Sequence, residues 1–246
     1  MKTGLVSVSF RKHTASEIIT AAADAGLECI EWGSDVHAKY DDIEALEHIA
    51  RMQAEHKLYC SSYGTYFRLG QDDLALLPEY IKAARMLGTN ILRLWCGVKS
   101  TWEYQKCEKA ALFEDCRAAA AVAERAGVKL CLECHRNTYT ETKEGALELM
   151  QAVSSPAFRM YWQPNQGRSV SENIEYASLL APYIEHIHVF QWKGDDKFPL
   201  ADGVDEWRQY LGAAGGEHTL LLEFMPDGRI ESLPQEAESL CKIIKG

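Results

Sequence analysis

At 246 residues, with 47% hydrophobic and 10% aromatic side chains, the chain can bury a sizeable core in one domain of about 250 residues, 1–246, and is too apolar for disorder. A formal charge of −10 disfavours nucleic acid and anionic membranes as partners, because both require clustered Lys and Arg. No run of about 18 apolar residues is available to span a bilayer, and the start MKTGLVSVSF lacks the apolar stretch of an export signal, so a soluble, cytoplasmic protein is expected.

Along the chain one grammar repeats: a β-rich run, a polar loop, then a helical pattern rich in Ala, Leu and Glu. The runs are Leu5 to Ser9, Leu27 to Trp32, Leu58 to Tyr63, Ile91 to Cys96, Val128 to Cys134, Ala157 to Gln163, Ile184 to Phe190 and Leu220 to Phe224. They recur about every 31 residues, the length of a βα unit. Between them, Thr14 and Glu17 form a capping box for a helix that closes at Gly26. Further helices are expected over 41–55, 72–88, 105–126, 141–153, 171–182, 203–212 and 231–245, with Gly88 and Gly127 as C-terminal stops. Eight such units fit a closed (β/α)8 TIM barrel better than an open sheet, which would usually advertise a Gly-rich ligand loop after a strand. None follows any of these strands.

In such a barrel, functional side chains lie at the C-terminal ends of strands and point inward. Those positions carry Glu31, Tyr63, Arg93, Trp95, Glu133, His135, Gln163, His188 and Glu223, where a barrel built only for stability would place apolar residues. Alone, Glu133 reads equally as a partner of Arg93 or Lys129. Two inward carboxylates in one mouth repel each other unless a cation or a shared proton compensates, so Glu133 and Glu223 together favour a metal site. His186 shares a face with His188 but lies one layer deeper, as a core histidine. Cys131 and Cys134, three apart on a strand, point to opposite faces and suit neither zinc nor redox chemistry. The eight scattered cysteines read as reduced thiols.

The succession LECHRNTYTET, YWQPNQ, HIHVFQWKG and LLEFMPDG, with weaker echoes in IEWGSDVH, SSYGTYFRLG and LRLWCG, resembles the xylose isomerase-like barrels, the sugar phosphate isomerase/epimerase superfamily that includes the AP endonuclease 2-like barrels. The resemblance spans nearly the whole chain. It implies a divalent ion at the barrel mouth, held by Glu133, Gln163, His188 and Glu223. The family's W-D-x-x-H segment is here Trp162-Gln163-Pro164-Asn165-Gln166, so its Asp and its His are both Gln. Three oxygens and one imidazole suit Mn²⁺ or Mg²⁺, with Zn²⁺ or Co²⁺ as alternatives.

The resemblance further implies a sugar isomerase or epimerase working through an enediolate, with Glu133 and Glu223 as ligands that also move protons. A carboxylate does both only if its second oxygen is free to reach the substrate. A lyase, dehydratase or hydrolase of keto-sugars or inososes in the same site is the near alternative, and a non-catalytic sugar-binding barrel is the rival of another class. Substrate contacts are assigned to His135, Arg93, Trp95, Tyr63, His37, Gln166 and Lys193, with orientation of Glu133 as the other reading of Arg93, closure of the second loop that of His37, packing that of Tyr63 and Trp95, and a solvated loop charge that of Lys193, which lies within QWKGDDKFPLADG, a candidate lid. The expected partner is a small carbohydrate; a homodimer is compatible with the sequence, which does not specify assembly.

Overall fold

A computed structural model describes residues 1–245. Its strands are β1 (Lys2–Val6), β2 (Cys29–Gly33), β3 (Tyr59–Leu69), β4 (Ile91–Cys96), β5 (Lys129–Glu133), β6 (Phe158–Trp162), β7 (Ile184–Val189), a short hairpin of β8 (Trp192–Lys193) and β9 (Asp196–Lys197), and β10 (Thr219–Leu222). All but the hairpin are parallel and close into a barrel in the order β1-β10-β7-β6-β5-β4-β3-β2. Helices α1 (Ala15–Asp24), α2 (Ile43–Glu55), α3 (Leu77–Met86), α4 (Lys106–Ala126), α5 (Lys143–Val153), α6 (Val170–Leu180), α7 (Val204–Ala214) and α8 (Leu233–Lys245) alternate with them, giving the (β/α)8 barrel. Among the described residues no helix is long and apolar enough to cross a membrane.

Local signals act where the sequence places them. Thr14 accepts the Glu17 N–H while Glu17 reaches back to the Thr14 N–H, so the first turn of α1 is closed from both sides. Ser169 and Glu172 do the same for α6. The 21-residue α4 stops at Gly127, whose φ of 66° lies in the left-handed region that a side chain disfavours.

Two cores result. The larger lies between strands and helices and takes Trp32, Leu92, Leu94, Leu132 and Trp162 from the outward faces of the strands. The smaller fills the barrel interior with Val6, Val8, Cys29, Ile91, Cys131, Tyr161 and Leu221. Cys131 thus faces the barrel and Cys134 the helices, as strand alternation requires. All eight cysteines are free thiols, six of them buried.

The first strand is shorter at its C-terminal end than the apolar run suggests. The chain turns at Ser7 into a 3-10 segment, Ser7–Phe10, and the Ser7 hydroxyl accepts the Gly33 N–H at 2.9 Å. The third strand is longer, because Arg68 and Leu69 continue the pairing against Trp95 and Cys96.

That strand also corrects one site assignment. Its register against β2 slips by one residue, from Cys60 opposite Ile30 to Ser62 opposite Glu31. A bulge of this kind reverses the faces of everything downstream. Ser62 and Gly64 therefore point into the barrel, and Tyr63 points out, fully buried, donating its hydroxyl to the Ala38 carbonyl at 2.6 Å and packing on Tyr80 of α3. Tyr63 belongs to the helix layer and faces away from the barrel interior.

Tyr63→Phe should therefore cost stability alone. Stranding the Ala38 carbonyl should lower the unfolding free energy in urea by about 1–3 kcal/mol, with no change in divalent-ion affinity by calorimetry.

Candidate functional site

Strand alternation brings Glu31 of β2, Arg93 of β4, Glu133 of β5, His188 of β7 and, one residue beyond β6 and β10, Gln163 and Glu223 to the C-terminal mouth of the barrel. All are buried, Glu31 and His188 completely. Glu223 is carried into place by strained backbone. Phe224, next to it, has φ 55°, a value uncommon for a bulky side chain, and its N–H is held by the Ser9 hydroxyl at 2.9 Å.

His188 is the hub. Its Nε2 lies 3.1 Å from Glu31 Oε2, and since an ionised carboxylate only accepts, that nitrogen carries hydrogen. Nδ1 faces three oxygens: Gln163 Oε1 at 3.1 Å, Glu223 Oε2 at 3.6 Å and Glu133 Oε1 at 3.9 Å. Ligand atoms of Glu133, His188 and Glu223 all fall within 4.8 Å of one another, close enough to hold one ion.

The donor set and the charge count both fit a divalent cation. Two carboxylates, one amide oxygen and one imidazole nitrogen are legitimate ligands for Mn²⁺, Mg²⁺, Zn²⁺ or Co²⁺. Three buried carboxylates (Glu31, Glu133, Glu223) against the one guanidinium of Arg93 leave a double negative charge when His188 is neutral, which one divalent ion cancels. Among the residues that would hold the ion, His188 is oriented from behind by the Glu31 carboxylate, the usual support for a ligating imidazole.

The two ligand carboxylates differ in their surroundings. Glu133 Oε2 accepts both an Arg93 Nη1 hydrogen and the Trp95 indole N–H at 2.5 Å. Burial would raise its pKa, but Arg93 and then His188 outweigh that and hold it below the ordinary carboxylate value. Glu223 has no such donors; burial, with repulsion from Glu133 and Glu31, pushes it up to about 7 despite His188. Burial opposes charge on His188 as well, yet Glu223 and Glu31 raise it to about 9. In Glu31, burial is overcome by Arg93 and His188, and its pKa is lowered.

For several of the residues assigned to substrate, the structure favours the reading other than substrate contact. Arg93, 3% exposed, spends Nε on Glu31 at 2.7 Å and Nη1 on Glu133, so it orients the two carboxylates. His37 has both ring nitrogens engaged, Nδ1 with Ser7 Oγ at 3.2 Å and Nε2 with the His13 carbonyl at 3.1 Å, and ties the loops after β1 and β2 together. Lys193 sits exposed on the hairpin, its Nζ 6.0 Å from the Phe198 ring, and borders a neighbouring cleft instead of the mouth. The hairpin lysine nearest the mouth is Lys197, whose Nζ lies 4.9 Å and 5.0 Å from the rings of Trp192 and Phe224.

Others stay at the mouth. Its cavity, about 90 Å³, is lined by His135, Gln166, Phe190, Trp192 and Phe224 together with Glu133, Gln163 and Glu223. Gln166, Phe190 and Trp192 also line the neighbouring cleft of about 330 Å³. His135 leans on Trp95 with ring centroids 4.8 Å apart, and its Nδ1 is bonded to the Arg136 carbonyl at 2.7 Å. A carbonyl only accepts, so Nδ1 carries hydrogen and Nε2 presents a lone pair when the ring is neutral.

Three residues without an assigned role join the site. Glu31 was visible as an inward acid at a strand end, but its partners lie 62 and 157 positions away. Ser62 donates to Glu31 and meets Tyr161 Oη at 2.6 Å, and Tyr66 packs edge-on against Trp95 at 5.1 Å. The bulge in β3 hides both Ser62 and Tyr66 from a simple parity count.

Because the ion must displace protons from His188 and from part of Glu223, binding should release protons, and affinity should rise with pH between about 6 and 9, by up to about tenfold per unit for each proton released. Calorimetry in buffers of different ionisation enthalpy measures this; a pH-independent affinity contradicts the ligand set. Gln163→Asp adds an anionic ligand and should tighten Mn²⁺ binding on the order of tenfold or more, read by the same titration.

Comparison with known proteins agrees with this architecture. The chain is 24% identical to a 3-dehydroshikimate dehydratase of Bacillus anthracis, over 76% of this chain and 71% of that protein. The crystal structure of the probable 3-DHS dehydratase AsbF from Bacillus anthracis, described as involved in petrobactin synthesis, superposes with a TM-score of 0.81 at 20% identity, covering 98% of this chain and 99% of that one. An IolI protein with a bound zinc atom gives 0.78 at 18% identity over 100% and 98% of the chains. A D-psicose 3-epimerase of Clostridium cellulolyticum H10, solved with D-tagatose, gives 0.72 at 15% over 98% and 97%. At these identities the solved structures speak for the fold. With its family model matched over residues 19–243, the chain belongs to the xylose isomerase-like TIM barrels.

Proposed function

We propose that this protein is a divalent-metal-dependent lyase that removes water from a small polyhydroxylated ketone. Glu133, Gln163, His188 and Glu223 hold the ion, whose contribution is to polarise a carbonyl and acidify the adjacent C–H. The observation that carries the elimination reading is the state of Glu133. An epimerase needs an acid/base group on each face of the substrate, and Glu133 Oε2 is already occupied by Arg93 and Trp95. One oxygen remains, and it faces His188 and the ion position.

His135 is then the base. Its Nε2 takes the proton from the carbon next to the carbonyl; the resulting electron pair forms the new C=C bond as the β-hydroxyl leaves, and the imidazolium returns the proton to that hydroxyl as water. Atoms and charge balance within one residue's reach, with no second carboxylate required. The second oxygen of Glu223 is available to hold a substrate hydroxyl. Phe190, Trp192 and Phe224 exclude water from the enolate, consistent with a hairpin that opens to admit substrate and closes over it. Similarity to a protein named 3-dehydroshikimate dehydratase supports the same reaction class.

Isomerisation or epimerisation through an enediolate is the second reading. It keeps the same ion and the same first proton transfer, and the likeness in fold to a D-psicose 3-epimerase favours it.

The two separate in deuterated water with Mn²⁺ and a panel of 3-keto sugars, inososes, dehydroshikimate-like ketones and ketoses. Elimination yields an enone absorbing in the near ultraviolet; recovery of a carbon-deuterated epimer without loss of water supports the second reading and overturns the first. His135→Asn should lower turnover by about 10²–10⁴ while Mn²⁺ affinity is retained.

A further inference from the structure

We propose that Glu31 is the positioning residue of the ion centre: it sets the tautomer of His188 and, through Arg93, the orientation of Glu133. The inference rests on reading Glu133, Gln163, His188 and Glu223 as ion ligands. Glu31 is fully buried and accepts three hydrogen bonds, from His188 Nε2 at 3.1 Å, Arg93 Nε at 2.7 Å and Ser62 Oγ at 3.2 Å. Two of these donors lead to different ligands. The imidazole bond leaves Nδ1 to face the ion position, and the guanidinium continues to Glu133 Oε2 and leaves Oε1 facing it. Moving one carboxylate therefore misaligns two ligands.

The barrel is built to admit that carboxylate. Gly64 lies directly over it, and a Cβ there would stand 2.5 Å from Glu31 Oε1 and 3.0 Å from Arg93 Nη2. Gly64 is absent from the positive-φ residues, so space for Glu31 and Arg93, and not backbone freedom, is what excludes a side chain. From below, Tyr161 fixes Ser62 with a 2.6 Å contact, so the third donor cannot rotate away. A mere counter-ion for Arg93 would need none of this on the His188 side.

The test needs no substrate. In Zn²⁺-loaded wild-type protein labelled with ¹⁵N-histidine, His188 should show a metal-bound Nδ1 and a protonated Nε2; a metal-bound Nε2 overturns the proposal without any variant. Glu31→Gln should weaken Mn²⁺ binding by about 10–100-fold and alter the His188 Nε2–H resonance. Gly64→Ala changes no charge but displaces Glu31, and should weaken binding in the same range, which covers the case in which Glu31→Gln fails to fold. Wild-type affinity in a folded Gly64→Ala or Glu31→Gln, with the His188 signature intact, refutes Glu31 while sparing the ion centre. Wild type that takes up neither ion removes the ion-centre reading and this proposal with it.

Discussion

The ion pairs of Arg93 with Glu31 and Glu133 are the constraint on which the mouth of this barrel depends. Taking a carboxylate out of water costs several kcal/mol, and three buried ones converge here at the floor of the barrel mouth. One guanidinium bridges two of the three, with Nε on one and Nη1 on the other, a geometry that only the planar fork of arginine provides. The third, Glu223, lies beyond its hydrogen-bonding reach and keeps its proton to a higher pH than an ordinary glutamate. The barrel thus carries an unmet demand for positive charge at one point, beside His188. A proton on the imidazole meets it in part, and a divalent cation meets it fully.

This arithmetic gives Gln163 a physical sense. An aspartate there would add a fourth buried carboxylate to a site whose single guanidinium is already shared by two. Glu31 supplies an extra charge from behind His188, and a neutral amide at 163 keeps the ion-loaded centre close to neutral. The exchange has a chemical consequence too, because fewer anionic ligands leave an ion a stronger Lewis acid. Asymmetry between the carboxylates follows from the same network: the donors that keep Glu133 ionised also occupy its Oε2, and Glu223 has no such donors.

The rim obeys different physics. Trp192, Phe190 and Phe224 come from the segments after β7 and β10, and the β8–β9 hairpin rests Lys197 over two of those rings. Cation–π contacts at exposed positions are worth about 0.5–1 kcal/mol each, enough to bias a closed hairpin and little enough to release it. A charged floor under an aromatic roof is an arrangement that can hold a polar ligand and exclude water. Fold alone does not select the reaction, since relatives in fold act on different chemistry.

The sequence by itself determined the barrel, its succession of helices and the candidates at the strand ends, though the helix expected over 72–88 begins only at Leu77, after a 3-10 turn. These depend on local periodicity, on caps such as Thr14 with Glu17, and on the rule that strand residues alternate faces. Glu133, His188 and Glu223 could be named as candidates from position, because two inward carboxylates in one barrel mouth repel each other unless a cation or a shared proton compensates. Pairings were decided only in three dimensions. Arg93 could be read as orienting Glu133 or as a substrate contact, and the structure places it between Glu31 and Glu133, 62 and 40 positions away. Tyr63 and Ser62 exchanged faces because one residue of β3 bulges out of register with β2, which no periodicity in an eleven-residue strand announces. Glu31 gained its place through contacts with β4 and β7 across the barrel, since the direction of a hydrogen bond is set by which strands the closed sheet brings together.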